Sequence, residues 1–177
     1  MIRSPLYSPT IFALRIALGF AIVWLLIKGS VVEALIVAIF VSLSFVYFLR
    51  DDRRPTVFDV LFALAALLAA GGYVFGLFWS VAPYDKLTHA FMTFSVSLAF
   101  FFLFYRGAVP RRRAIAMATA IFTLGTSVGA LWEIFEWSIG SAEGLSDTIT
   151  DMIVDSAGAL AAALLALAIR WRGSRLT

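Results

Sequence analysis

The sequence predicts an all-α, polytopic integral membrane protein with about six transmembrane helices and both termini in the cytoplasm. Three observations carry this. Of the 177 residues, 62% are hydrophobic and 14% are charged, whereas soluble domains run near half apolar with about a quarter charged. That leaves too little polar surface to cover a globule. The apolar residues gather into six long runs with short polar or turn-forming breaks, and a bilayer core of about 30 Å needs roughly 20 apolar residues per helix. The basic residues fall almost wholly on one side of those runs.

The first run, residues 11–27, follows Arg3 and contains Arg15. It has no convincing small-residue cleavage site and Lys28 follows it directly, so it is expected to be a retained helix and not a signal peptide. Arg15, about a turn inside, is expected to snorkel to cytoplasmic headgroups. The break "KGS" before the second run, 31–49, is short enough to predict a tight helical hairpin. "RDDRRPT" leads into the third run, 58–79, and "VAPYDK" into the fourth, 87–105. "RGAVPRRR" precedes the fifth, 114–139, and "GSAEGLSD" the sixth, 149–169. Gly and Pro punctuate these breaks as they do loops. No break is long enough for a soluble domain and no internal repeat is evident. The chain therefore reads as a single transmembrane domain over 1–177. Helices one to three occupy 1–82, and helices four to six, in 83–170, carry the polar residues.

Orientation follows from Lys and Arg. With the N-terminus inside, the cytoplasmic segments hold Arg3, Arg15, Arg50, Arg53, Arg54, Arg106, Arg111, Arg112, Arg113, Arg170, Arg172 and Arg175, and only Lys28 and Lys86 lie outside. The protein is accordingly expected in a bacterial inner (cytoplasmic) membrane, crossing it several times with both ends inside. The basic clusters border apolar runs and do not form a soluble face, so nucleic acid is not an expected partner. Without cysteine there is neither a disulfide nor a thiolate metal site.

The acids fall on the other side. Asp51, Asp52 and Asp59 sit near cytoplasmic arginines, while Glu33, Asp85, Glu133, Glu136, Glu143, Asp147, Asp151 and Asp155 fall outside. Asp85 and His89 are spaced i, i+4, Glu133 and Glu136 i, i+3, and Asp147, Asp151 and Asp155 by fours, so each set shares a helix face. At about 1.5 Å per residue, His89, Glu133 and Asp155 come to roughly 6–10 Å below the outer ends of their helices. Asp85 and Asp147 also fit N-terminal caps that complement the helix dipole, Glu143 fits a loop, and His89 alone would fit a hydrogen-bonded packing residue. The deeper acids are harder to dismiss. Each costs about 2–3 kcal/mol or more unless paired, protonated or facing water, and several together cannot all ionise without a cation or bound protons. Lys86 cannot neutralise the set. Carboxylates with one imidazole suit a hard or borderline divalent ion. The remaining features read as packing. "GTSVG" at 125–129 and "SAGALAAALLALA" at 156–168 allow close helix approach, Trp132 and Trp137 fit an interfacial belt, and "FSVSLAFFFLFY" reads as lipid-facing bulk.

"YDKLTH", "ALWEIFEW" and "SDTITDMIVDSAGAL" resemble the signature blocks of the YjdF-type inner-membrane family, and their order is similar to that of VanZ-like proteins, across the last three helices. The resemblance places His89, Glu133, Glu136, Asp147, Asp151, Asp155 and Gly158 on motif positions. It implies a location at the cell envelope, where VanZ-like proteins are linked to glycopeptide resistance, and implies no reaction. The chain has Ala82-Pro83 where YjdF-type members tend to have Asn-His, and "LLAAGGY" where they tend to have a histidine. Fewer imidazoles weigh against a zinc-like site.

Three functional classes stay open on the sequence. In the first, a divalent metal held by His89, Glu133, Glu136, Asp147, Asp151 and Asp155 supports hydrolysis or transfer on a lipid headgroup or envelope precursor, with His89, Glu133 and Glu136 catalytic. In the second, the acids mark an ion or proton path of a transporter. In the third, they neutralise one another in a non-catalytic protein that binds lipid or a partner. Membrane lipids are an expected partner in all three, and the oligomeric state is open.

Overall fold

The computed structural model describes residues 7–45, 57–105 and 113–173, and all the regular elements among them are helices: α1 (Tyr7–Ile27), α2 (Val31–Leu43), α3 (Val57–Phe75), α4 (Leu77–Ser80), α5 (Tyr84–Tyr105), α6 (Ala114–Ile139) and α7 (Leu145–Gly173). Arg3, Arg50, Arg53, Arg54, Arg106, Arg111, Arg112 and Arg175, which help set the expected orientation, lie outside the described residues, as do Asp51 and Asp52. Three of the described helices, at Ser8–Ile27, Ala114–Ile139 and Leu145–Ile169, are long and apolar enough to cross a membrane, with shorter apolar helices at Val31–Leu43 and Asp59–Phe75. The chain divides into two compact units, Met1–Thr88 and His89–Thr177.

In the first unit α1 packs on both α2 and α3. Pro9 stands in the first turn of α1, where its missing N–H costs no helical bond. At the other end Gly29 N–H donates to Leu26 O and Ser30 N–H to Leu25 O. This paired closure satisfies the last carbonyls and turns the chain straight into α2, giving the hairpin expected from "KGS". Ile11 and Leu14 pack on Ala63 of α3.

Arg15 departs from the snorkelling expectation. Its Nε donates to Ser44 Oγ at 3.1 Å, and its Nη2 donates to the Ser44 carbonyl. The guanidinium also lies 3.6 Å from the Phe45 ring centroid. The end of α2 offers carbonyls with no intrahelical donor, so a nearby guanidinium is drawn to protein and not to lipid headgroups.

The third apolar run is not one continuous helix. It breaks at Gly76, whose φ of 66° is left-handed, a conformation that only glycine adopts cheaply. The single turn α4 then folds back, so that Phe78 meets Tyr73 edge-on at 5.0 Å and Tyr84 at 5.6 Å. Gly72 is where the Phe78 ring fits, since a Cβ there would overlap it. The Tyr84 hydroxyl donates to the Leu68 carbonyl at 2.6 Å.

The second unit is built on three stripes of buried residues with a period of four. On α5 they are His89, Thr93, Ser97 and Phe101; on α6, Met117, Ile121, Gly125, Gly129 and Glu133; on α7, Asp151, Asp155, Ala159 and Ala163. A four-residue period keeps side chains in one inclined ridge. Small residues let these ridges close. A Cβ on Gly125 would overlap Ser97 and Ala159, one on Gly129 would overlap Asp155, and one on Gly158 would overlap the Ala90 carbonyl. The expected contact of the "GTSVG" and Ala-rich helices is thus present, and α5 joins it. For the same reason "FSVSLAFFFLFY" is not uniformly lipid-facing bulk: Ser95, Ser97, Leu98, Ala99 and Phe101 are buried and Phe104 is exposed.

The outer faces complete the picture. Leu131, Ile134, Ile153, Leu160 and Leu164 are exposed while Glu133, Asp151 and Asp155 are buried. A protein surrounded by water sorts these residues the other way. Apolar outside and polar inside is the distribution expected in lipid.

Candidate metal centre

The polar ends of the three stripes meet. His89, Glu133 and Glu136 each offer one ligand atom, and these atoms lie within 4.8 Å of one another. His89 Nδ1 is 3.8 Å from Glu133 Oε1 and 3.5 Å from Asp155 Oδ2. The other Asp155 oxygen, Oδ1, accepts the Thr93 hydroxyl at 2.6 Å. Asp151 lies one turn before Asp155 on α7, buried, and within electrostatic reach of Glu133 together with Asp155 and His89. Glu133 is 3% exposed and its Oε1 has no hydrogen-bond partner. An ionised carboxylate oxygen left so in a low-dielectric setting is costly.

The local folding of each element aims these groups. Glu133 and Glu136 occupy the last two turns of α6, which ends at Gly140 with φ 74°. There Ser141 N–H donates to Glu136 O and Gly140 N–H to Trp137 O, a left-handed closure that stops the helix just past the acids. The Trp137 indole N–H then donates to Thr148 Oγ1 on α7 at 3.0 Å. This bond bridges the loop 140–144 from the last turn of α6 to the first turn of α7. Gly129, one turn below Glu133, leaves the notch that Asp155 fills.

The sequence-derived candidates are distributed as follows. His89, Glu133 and Glu136 form the ligand cluster, and Asp155 reaches His89. Asp151 is buried beside them. Asp147 is half-buried in the first turn of α7, and Glu143 is an exposed loop residue. In the first unit, Asp85 lies in the first turn of α5 and pairs with Lys86 at 2.9 Å. Lys86 thus has a carboxylate partner next to it in sequence. Thr93 and Thr148 were not foreseen. The signal for Thr93 was its spacing of four from His89; nothing local marks Thr148.

Two carboxylates and an imidazole this close can hold a cation. Metal–ligand bonds of about 2.0–2.6 Å put ligand atoms within about 4–5 Å of each other. The oxygen-rich set suits magnesium, manganese or calcium, and the imidazole extends it to zinc-like ions.

Helices that bury acids and expose aliphatic side chains define a helical membrane protein. Over residues 10–172 the chain matches the family described as "Predicted membrane protein (DUF2238)", and it belongs to that family. This is consistent with the YjdF-type resemblance of its last three helices. No curated protein and no solved structure matches the chain significantly.

Proposed function

We propose that the protein is a multi-pass protein of a bacterial inner membrane, with both termini in the cytoplasm, that holds a divalent cation at His89, Glu133 and Glu136 near its outer face. The bound ion would serve hydrolysis or transfer on the headgroup of a lipid or envelope precursor. The reading rests above all on Glu133 Oε1, a buried carboxylate oxygen without a hydrogen bond that stands 3.8 Å from an imidazole nitrogen in a three-residue ligand cluster. A cation there would polarise a phosphoryl or carbonyl oxygen and make bound water more acidic. A spare carboxylate such as Asp151, which is buried next to the cluster, or His89 would act as base.

The packing beneath the cluster favours this over a transporter. Ser97 and Gly125, two turns below His89 and Glu133, and Ala159, one turn below Asp155, close the three helices on one another. A closed floor leaves a cup, which suits binding or chemistry from one side.

The test is metal analysis of the purified protein after equilibration with magnesium, manganese, calcium or zinc. Wild type should retain about one equivalent of one of them, and Glu133→Gln should lose it while keeping the same helical spectrum. Equal metal content in both proteins, or none in wild type, removes the proposal.

A further inference from the structure

The third apolar run gives up its helix at Phe75, after the 19 residues of α3. At about 1.5 Å per residue these span about 28 Å, and a hydrocarbon core is about 30 Å thick. A helix of that length uses up the core, so the residues that follow it stand at a membrane–water boundary. There the chain turns at Gly76 into α4, where the Ser80 hydroxyl donates back to the Gly76 carbonyl at 2.9 Å. Exposed Ala82 and Pro83 and the Asp85–Lys86 pair come next. An apolar turn is thus set between a spanning helix and a polar stretch.

This turn sorts its rings onto two sides. Phe78 points inward, into the space left by Gly72 and edge-on to Tyr73 and Tyr84. Phe75 and Trp79 point outward and are 74% and 67% exposed, and Val81 is exposed beside them. Trp79 meets Phe78 edge-on at 6.2 Å, so the inward ring braces the outward one. The Trp79 indole N–H finds no acceptor among the described residues, whereas the N–H of Trp137 is taken by Thr148. An apolar ring with a donor to spare suits the layer where acyl chains end and ester carbonyls begin.

We propose that residues 75–81 form a preformed wedge for the lipid interface. Phe75 lies among the upper acyl chains, and Trp79 donates its N–H to a lipid ester carbonyl. The Phe78 ring in the Gly72 notch holds the wedge in shape without lipid. The wedge sets the depth of the turn that leads into α5. Its partner is the lipid surface, which in the proposed topology is the outer leaflet, and no metal enters the argument.

Fluorescence of the reconstituted full chain tests this. Replacing Trp24, Trp132, Trp137 and Trp171 by Phe leaves Trp79 as the one indole of the original five. The vesicles are phosphatidylcholine brominated either near the ester end or near the methyl end of its chains. Trp79 emission is expected to lie to the blue of the unfolded chain. It should be quenched more by bromine near the ester end than near the methyl end, and little by acrylamide in the water. Strongest quenching from the methyl end would put Trp79 within the hydrocarbon and overturn the proposal. Quenching by acrylamide without quenching by bromine would put it in water, and protection from both would put it under protein; either overturns the proposal too. If the fourfold variant does not fold, wild type is compared with Trp79→Phe. The quenching by ester-end bromine should then fall, and an unchanged profile overturns the proposal equally. Phe78→Ala in the single-indole protein should shift Trp79 emission to the red and raise acrylamide quenching. Unchanged emission there would remove the claim that the wedge is preformed.

Discussion

Gly158 of α7 lies directly against the backbone carbonyl of Ala90 in α5, with no room for a Cβ between them. The obstructing atom is main chain and cannot rotate away, so Gly158→Ala must push the two helices apart. Overpacking of this kind costs about 1–3 kcal/mol. A clear drop in melting temperature in detergent is expected, together with weaker cation binding, because His89 precedes Ala90 on the displaced helix. Gly19 of α1 has nothing within 4 Å of an added Cβ. Gly19→Ala should be neutral, or should stabilise by about 0.5–1 kcal/mol through helix propensity. Equal melting temperatures for the two variants would contradict the close approach.

Arg15 should not tolerate lysine. Its planar fork serves Ser44 twice and covers the Phe45 ring, and an ammonium reproduces neither geometry. Hydrogen bonds to charged groups are worth about 1.5–3 kcal/mol. Arg15→Lys is therefore expected to destabilise the first unit by about 1–2 kcal/mol, read by thermal unfolding, and to leave cation binding in the second unit unchanged. If it melts like wild type, Arg15 is not what holds the end of α2.

Two glutamates flanking Gly140, one four residues before it and one three after, should behave differently. Glu136 belongs to the ligand cluster and Glu143 is an exposed loop residue. Glu136→Gln should weaken divalent-cation binding by more than about tenfold, the scale that even an outer-shell partner carries. Glu143→Gln should leave it unchanged. Calorimetric titration of both variants checks this, and equal affinities would mean that the ion sits elsewhere.

Orientation is read by labelling. Cysteines introduced at Ser141, in the loop after α6, and at Ser174, after Arg170 and Arg172, should react with a membrane-impermeant reagent from opposite sides of intact cells. Cys-free wild type gives no background. Labelling of both from the same side would remove the arrangement with the acids outside and the C-terminus inside.

The sequence alone determined the class and some of the helix limits. The fifth run was legible as 114–139 and is observed as Ala114–Ile139, because a lipid-spanning helix must be continuously apolar and its ends are marked by Arg on one side and Gly on the other. The chemistry-bearing residues were legible too, since an acid in such a run stands out against its surroundings. Spacing along one helix, as in Glu133 and Glu136 or Asp151 and Asp155, is a local property and could be read directly.

Contacts between helices are not local, and only the tertiary structure decided them. It selected His89, Glu133 and Glu136 as the group whose ligand atoms meet, gave Asp155 to Thr93 and His89, and turned Arg15 to the end of α2. It also broke the third run at Gly76, where composition showed only an unbroken apolar stretch. In lipid the driving force for helix association is close packing and hydrogen bonding and not apolar burial. Which faces meet is therefore fixed by where a glycine admits a neighbour, as Gly129 admits Asp155 and Gly158 admits Ala90, and such a fit exists only between helices already brought together.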